Sequence, residues 1–151
     1  MNIAHRIAAG GVILKNDSVL LVRYRGANNG TYLVGPGGAL EDSENAFQAV
    51  VRETQEETGI KVVPKRILFI EDLLCKRFKM CKIWILCEPS HDDVRQTHGA
   101  QMEGIIEAGW FTRDQLASEL LFPSPLMLCG WKKLVSDDWQ VQCLSSQEAD
   151  F

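Results

Sequence analysis

No C-x-x-C pair occurs in this 151-residue chain, and its cysteines are few and odd in number, at five. Cys75, Cys81, Cys87, Cys129 and Cys143 therefore argue against a structural zinc site and against a disulfide framework. Cys81 and Cys87 share one parity in a strand-like run, so packing as small buried residues is expected of them. Free thiols fit a reducing cytoplasm. Basic charge is not in excess either: 16 Lys and Arg stand against 20 Asp and Glu, a net charge of −4. That removes DNA binding through a broad basic surface and requires local positive charge wherever an anion is handled. No apolar run approaches the roughly eighteen residues of a membrane span. Residues 1 to 15 lack a continuous apolar stretch behind a basic one, so no signal peptide is expected. Repeats and interdomain linkers are missing as well. What is present is 46% hydrophobic and 24% charged residues, the balance of one globular domain. Residues 1–140 are expected to form it, with 141–151 as a poorly ordered C-terminal tail.

The informative stretch runs from Gly38 to Ile60, GALEDSENAFQAVVRETQEETGI. Just before it, Pro36, Gly37 and Gly38 predict a turn, since proline fixes φ and glycine accepts positive φ. A helix is predicted next, capped by Asp42 or Ser43 and ended at Gly59. Phe47, Val50, Val51, Thr54 and Thr58 fall on its core face. Glu53, Glu56 and Glu57 fall within a neighbouring sector about 100° wide. Three crowded carboxylates repel unless positive charge sits among them. A hard divalent cation with oxygen ligands meets that need. Mg²⁺ is the usual one where phosphates are handled, with Mn²⁺ as an alternative. A bare E-x-x-E-E on a helix reads, by itself, as a solvated acidic face.

The flanking residues reverse that reading. Gly38, Glu44, Arg52, Glu53, Glu56, Glu57, Gly59 and Ile60 stand at the spacings of the Nudix box. A chance match to so many fixed positions is on the order of one in a million for such a chain. The sequence thus resembles the Nudix hydrolases over roughly residues 7–135. Thr54 stands where the family has an apolar residue; a back-bond from its hydroxyl to a carbonyl one turn earlier is expected.

Along the chain, Ile7 to Leu14 predicts a buried strand in which Gly10 and Gly11 mark a bulge or a close backbone approach. Asn16-Asp17 is a turn leading into a strand over Val19 to Arg25. Ala27 to Thr31 is a loop and Tyr32 to Val34 a short strand. Lys61 to Leu74 and Phe78 to Cys87 predict paired strands, with Pro64 at an edge or bend. Ser90 to Met102 reads as a polar loop, Ile105 to Phe111 as a strand and Asp114 to Leu120 as a short helix. Pro123 to Val135 predicts a helix buried through Leu126, Leu128, Trp131, Leu134 and Val135, with Gly130 as its weak point. This order of elements gives a mixed α/β domain. The resemblance implies the same class: a Nudix-type α/β/α sandwich with a mixed central β-sheet.

The resemblance also implies a site. Glu53, Glu56 and Glu57 would be metal ligands and catalytic carboxylates, with the Gly38 carbonyl as a further ligand. Glu44 and Arg52 would pair and orient the glutamates. Glu103, in the loop before the late strand, is the first candidate for proton acceptor or extra ligand, and Glu107 the second. Arg6, Arg23 and Arg25 are candidates for phosphate or ribose; alternation places Arg23 and Arg25 on one strand face. Tyr32, Phe78, Trp84 and Trp110 are candidates to stack on a base. His5, His91 and His98 have no assignable role. The implied reaction is hydrolysis of the pyrophosphate linkage in a nucleoside diphosphate joined to another group. ADP-ribose-like substrates are favoured; nucleotide sugars, dinucleotides and oxidised nucleoside triphosphates are also in range. A second reading is a catalytically inactive nucleotide-sensing or RNA-binding module on the same fold. A third, an isoprenoid diphosphate isomerase, needs pocket His and Cys groups that the sequence does not place. The sequence leaves homodimer formation open.

Overall fold

The computed structural model describes residues 2–149. The first strand, β1 (Ala4–Lys15), is the one on which the others are laid. Ala8, Ala9, Val12 and Ile13 in it are fully buried. One flank of β1 pairs in parallel with β6 (Phe78–Pro89) from Ala4 to Ile13. Its other flank pairs antiparallel with β4 (Gly37–Ala39) and, at Leu14 and Lys15 only, with β2 (Ser18–Arg25). Asn16, at φ 54°, makes the turn between β1 and β2, a left-handed conformation that asparagine tolerates. The mixed sheet then divides. On one side β5 (Val62–Leu74) runs antiparallel to β6, with register shifts beside Pro64. On the other, β2 pairs with β3 (Thr31–Val34) and β7 (Glu107–Thr112), and β3 pairs in parallel with β8 (Leu121–Phe122).

Alternation along the strands sorts the core into two clusters. Ala9, Ile13, Leu20 and Ile85 join one with Ala49 and Val50 of α1 (Ala46–Thr58). Ala8, Val12, Leu21 and Trp84 join the other, with Leu116 of α3 (Arg113–Leu116), Leu126, and Leu134 of α4 (Trp131–Leu134). Neighbouring residues of a strand point to opposite faces, so helical segments cover both faces of the sheet. The domain is an α/β layered fold of the expected type. Among the described residues, no helix is long and apolar enough to cross a membrane. All five cysteines are free.

Several local expectations are corrected. Gly37 and Gly38 do not turn the chain. They form β4 against β1, and neither has a positive φ. A Cβ on Gly37 would come within 2.1 Å of the Ala9 carbonyl oxygen, so close approach, not turn geometry, requires glycine there. Asn45, rather than Asp42 or Ser43, caps α1: its side chain accepts from the Gln48 amide, and the Gln48 side chain accepts from the Asn45 amide. Asp42 and Ser43 lie inside a turn closed by the Glu44 amide and the Glu41 carbonyl. The Thr54 hydroxyl makes no back-bond; Thr58 supplies one instead, to the Thr54 carbonyl at 2.7 Å.

Residues 123–135 are not one helix. Ser124–Met127 form a 3₁₀ turn carrying Pro125, and Gly130, at ψ 127°, breaks the path before α4. Leu128 and Val135 are consequently exposed, at 86% and 51%. The last described residues pack along β5. The Trp139 indole donates to the Leu68 carbonyl at 3.1 Å and meets Phe69 edge-on. β9 (Gln142–Cys143) and β10 (Gln147–Glu148) then pair with β5. Asp150 and Phe151 lie outside the described residues. The polar stretch before β7 ends in a short helix, α2 (His98–Met102).

The capping box predicts that Asn45→Ala lowers unfolding free energy by about 1 kcal/mol. Urea unfolding monitored by circular dichroism, compared with Ser43→Ala as a neutral control, checks this.

Candidate active site

The C-terminal half of α1 turns two glutamates inward. Glu53 and Glu57 are buried, and each offers a carboxylate oxygen within 4.8 Å of the other and of Glu103. Glu56 lies outside this cluster; its exposed carboxylate accepts from Arg52 Nη1 at 3.3 Å. Glu103 arrives from the end of α2. Thr97 caps α2 by accepting from the Ala100 amide, while its hydroxyl donates to the Glu56 carbonyl. Gly99 packs on the same carbonyl. α2 is therefore strapped to the end of α1, and Glu103 is carried to the cluster.

Each buried carboxylate is held by a different device. Glu57 accepts from the Gly37 amide at 3.1 Å and from the Tyr24 hydroxyl at 3.2 Å. The same hydroxyl lies 3.5 Å from Glu103. Glu53 accepts from Arg52 Nη1 at 2.9 Å through one oxygen; its other oxygen is buried with no partner among the described residues. Arg52 also forks onto Glu44, at 2.5 and 3.0 Å, and reaches the Ala39 carbonyl at 3.3 Å. It thereby ties α1 to β4 and to the loop before the helix. Gly38 faces Glu53: a Cβ there would fall 2.6 Å from Glu53 Oε1.

The charges follow from this packing. Burial pushes Glu57 well above the usual carboxylate range. The neighbouring Glu53 and Glu103 charges add to that, and the Gly37 amide opposes it. Burial also raises Glu53, against the pull of Arg52. Glu44, at the outer end of the fork, is by contrast lowered to about 2 by Arg52. Burial, then Glu57 and Glu103, raise Tyr24, which stays protonated and able to donate.

The cluster opens into a cleft of about 820 Å³ lined by Glu57, Glu103, Gly37, Gly38, Tyr24, Tyr32, Phe78 and Met80. Arg6, Arg25, Lys76, Arg77 and Lys82 also line it. Arg23 does not. Its guanidinium forks onto Glu119 at 2.9 and 3.0 Å and bonds Glu107 at 2.8 Å, so Arg23 and Glu107 neutralise each other away from the cleft. Tyr32 lines the wall but is buried and stacked on Tyr24, with ring centroids 5.6 Å apart. Phe78 has Arg6 4.0 Å over its ring. Trp84 is fully buried, and Trp110 donates to the Asp92 carbonyl outside the cleft. Four polar cleft residues escaped the sequence reading, Tyr24, Lys76, Arg77 and Lys82. Lys82 left a signal: it shares strand parity with Phe78, Met80 and Trp84, where an apolar residue is the rule.

A helix, a glycine-bearing strand and a cleft with paired buried glutamates define a fold shared with known proteins. The NUDIX domain profile matches residues 4–127, and the chain belongs to that family. Among curated relatives, the 8-oxo-dGTP diphosphatase of Proteus vulgaris is 41% identical over 63 residues, covering 41% of this chain and 56% of that protein. The ADP-ribose pyrophosphatase of Methanocaldococcus jannaschii is 37% identical over 59 residues, covering 39% and 34%. The chain thus matches only a third to somewhat over half of the length of these relatives. The crystal structure of an ADP-ribose pyrophosphatase from Streptococcus suis superposes with a TM-score of 0.68 at 20% identity, covering 92% of this chain and 98% of that one. At that identity the likeness speaks for the fold.

The donor set suits a hard cation: three carboxylates converge, and one buried oxygen of Glu53 has no partner of its own. Two expectations follow. Glu57 and Glu53 have folded-state pKa values above the ordinary 4.5. Their contribution to stability is full below that value and is lost as pH rises through the folded value. Metal-free protein should therefore lose stability as pH rises above about 4.5, and Glu57→Gln should flatten the loss. Mg²⁺ must displace protons, so it should raise the melting temperature more at pH 8 than at pH 6. Thermal melts with Mg²⁺ or EDTA across pH check both. Gly38→Ala should leave the fold intact, because the clash falls on the far end of a flexible side chain. It should weaken divalent-metal binding by about tenfold or more, read by calorimetry.

Proposed function

We propose that this chain is a Mg²⁺-dependent hydrolase that cleaves the pyrophosphate linkage of a nucleoside diphosphate joined to a further group. The observation that carries the reading is the convergence of Glu53, Glu57 and Glu103, two of which, Glu57 and Glu103, line a cleft that also carries four exposed cations. In this reading Glu53 and Glu57 hold the cation, with Glu56 and the Gly38 carbonyl completing the set. When bound, the cation offsets phosphate charge and lowers the pKa of water.

The protein's own groups do the rest. Gly37 and Gly38 let the diphosphate approach the backbone. Arg6, Arg25, Lys76 and Arg77 draw the anion in. Tyr24 fixes Glu57 and stands beside Glu103. Arg52, locked by Glu44, keeps Glu53 in place. Glu103 is the exposed carboxylate of the cluster and takes the proton from the attacking water. A new P–O bond forms from that water, the bridging P–O bond breaks, and two phosphorylated fragments leave. The curated relatives are named for different substrates, one an oxidised nucleotide and the other ADP-ribose. An ADP-ribose-like substrate remains the favoured choice within that class. The free thiols support a cytoplasmic location.

A panel of nucleotides incubated with Mg²⁺, with EDTA as control, should show metal-dependent cleavage of at least one member. Glu57→Gln should cut kcat by about a hundredfold or more while the protein stays folded. Near-native turnover in that variant would remove Glu57 from the ligand set. Tight nucleotide binding without any turnover would favour a sensing module.

A further inference from the structure

Of the five cations that line the cleft, four are exposed and one is not: Lys82 is 5% exposed. A buried ammonium costs several kcal/mol unless it is paired or used. Its strand explains where it points. Phe78, Met80 and Lys82 alternate along β6 and all line the cleft, and Lys82, the most buried of the three, feels the charge of Glu57. Trp84, next on the same face, is wedged between two glycines. A Cβ on Gly10 would come within 2.3 Å of its ring, and one on Gly35 within 2.9 Å. The same Cβ on Gly10 would come within 2.9 Å of Lys82 Cε. The Lys82 ammonium lies 4.5 Å from the Trp84 ring centroid, a favourable place for a desolvated cation. Trp84 in turn donates to buried Glu71 at 2.7 Å, and Glu71 is the cross-strand partner of Lys82 in the β5–β6 ladder. Gly10, Gly35, Trp84 and Glu71 together seat one cation at the inner end of an otherwise apolar strip.

We infer that Lys82 is a substrate-contacting residue whose ammonium meets a phosphate oxygen of the bound diphosphate on the wall facing the glutamate cluster. This rests on the hydrolase reading for the identity of the ligand. Lys82 is also attracted by Glu57, Glu71 and Glu53, so its role toward a ligand is read from binding and not from stability. With the diphosphate bound, Lys82 supplies fixed positive charge, and Glu71 and Trp84 are positioning residues that hold it.

The test is binding of inorganic pyrophosphate in the presence of Mg²⁺, by calorimetry, which needs no turnover. Lys82→Met alone leaves Glu71 buried without its counter-charge, so the double variant Glu71→Gln/Lys82→Met is measured beside it. The amide introduced at position 71 still accepts from the Trp84 indole. The double variant is expected to fold and to bind pyrophosphate about tenfold or more weakly than wild type. Glu71→Gln alone keeps the Lys82 ammonium and is expected to lose measurably less affinity than the double variant, so it is the reference for the Lys82→Met step. Equal binding by the double variant and wild type, no binding by wild type, or an equal loss in Glu71→Gln alone would each overturn the assignment. Pyrophosphate binding that depends on Lys82, without cleavage of any nucleotide, would keep the assignment and remove the hydrolase reading.

Discussion

Two carboxylates buried side by side on one helix, with a third brought against them from another, repel each other in a medium that screens poorly. Glu53, Glu57 and Glu103 are in that position, and most of the local architecture answers the repulsion. The Gly37 amide, the Tyr24 hydroxyl and the Arg52 guanidinium each give one hydrogen bond to the cluster. Lys82 faces the cluster from the neighbouring strand, its ammonium disfavoured by burial and favoured by Glu57, Glu71 and Glu53. These donors come from β4, β2, α1 and β6, so the two wings of the sheet and the helix meet around a single set of oxygens. The carboxylates do not stabilise the fold. They are retained at a cost that the surrounding donors only partly offset, which is the usual mark of a site under functional demand.

The backbone beside α1 is shaped by the same need for proximity. β4 lies so close to β1 that position 37 has no room for a side chain, and so close to α1 that position 38 would strike Glu53. Arg52 then clamps β4 to the helix through the Ala39 carbonyl. Helix and strand are thereby fixed within hydrogen-bonding reach of each other. Preorganisation of this kind puts acceptors in place before any ligand arrives.

Much of this was legible in the residues and some was not. Strands β1, β2, β3, β5, β6 and β7 followed from apolar runs and turn residues, because their burial leaves a local pattern. Helix α1 and its end at Gly59 followed from spacing and from a glycine that does take a positive φ. The cap was misplaced, since Asp42, Ser43 and Asn45 are chemically equivalent and only the turn at Glu41–Glu44 decides among them. Gly37 and Gly38 were read as turn glycines because steric exclusion by Ala9 and Glu53 is tertiary and leaves no local mark. Glu103 follows from the family resemblance and not from any local pattern. Tyr24 and Lys82 depended on which side of a strand meets the cleft. The segment 123–135 carried a helical pattern, but its prolines and Gly130 outweighed it.

The two short strands beyond Trp139 have a consequence for how this molecule meets others. β5 pairs with β6 along one side, and on its other side β9 and β10 occupy Phe69–Ile70 and Leu73–Leu74. An open lateral border of that length would be a template for annealing to a neighbouring copy. Here the chain's own residues cover its C-terminal half, from Phe69 to Leu74. Along that half, a neighbouring copy cannot anneal directly to β5 and meets only two two-residue strands, too short to template a long new ladder.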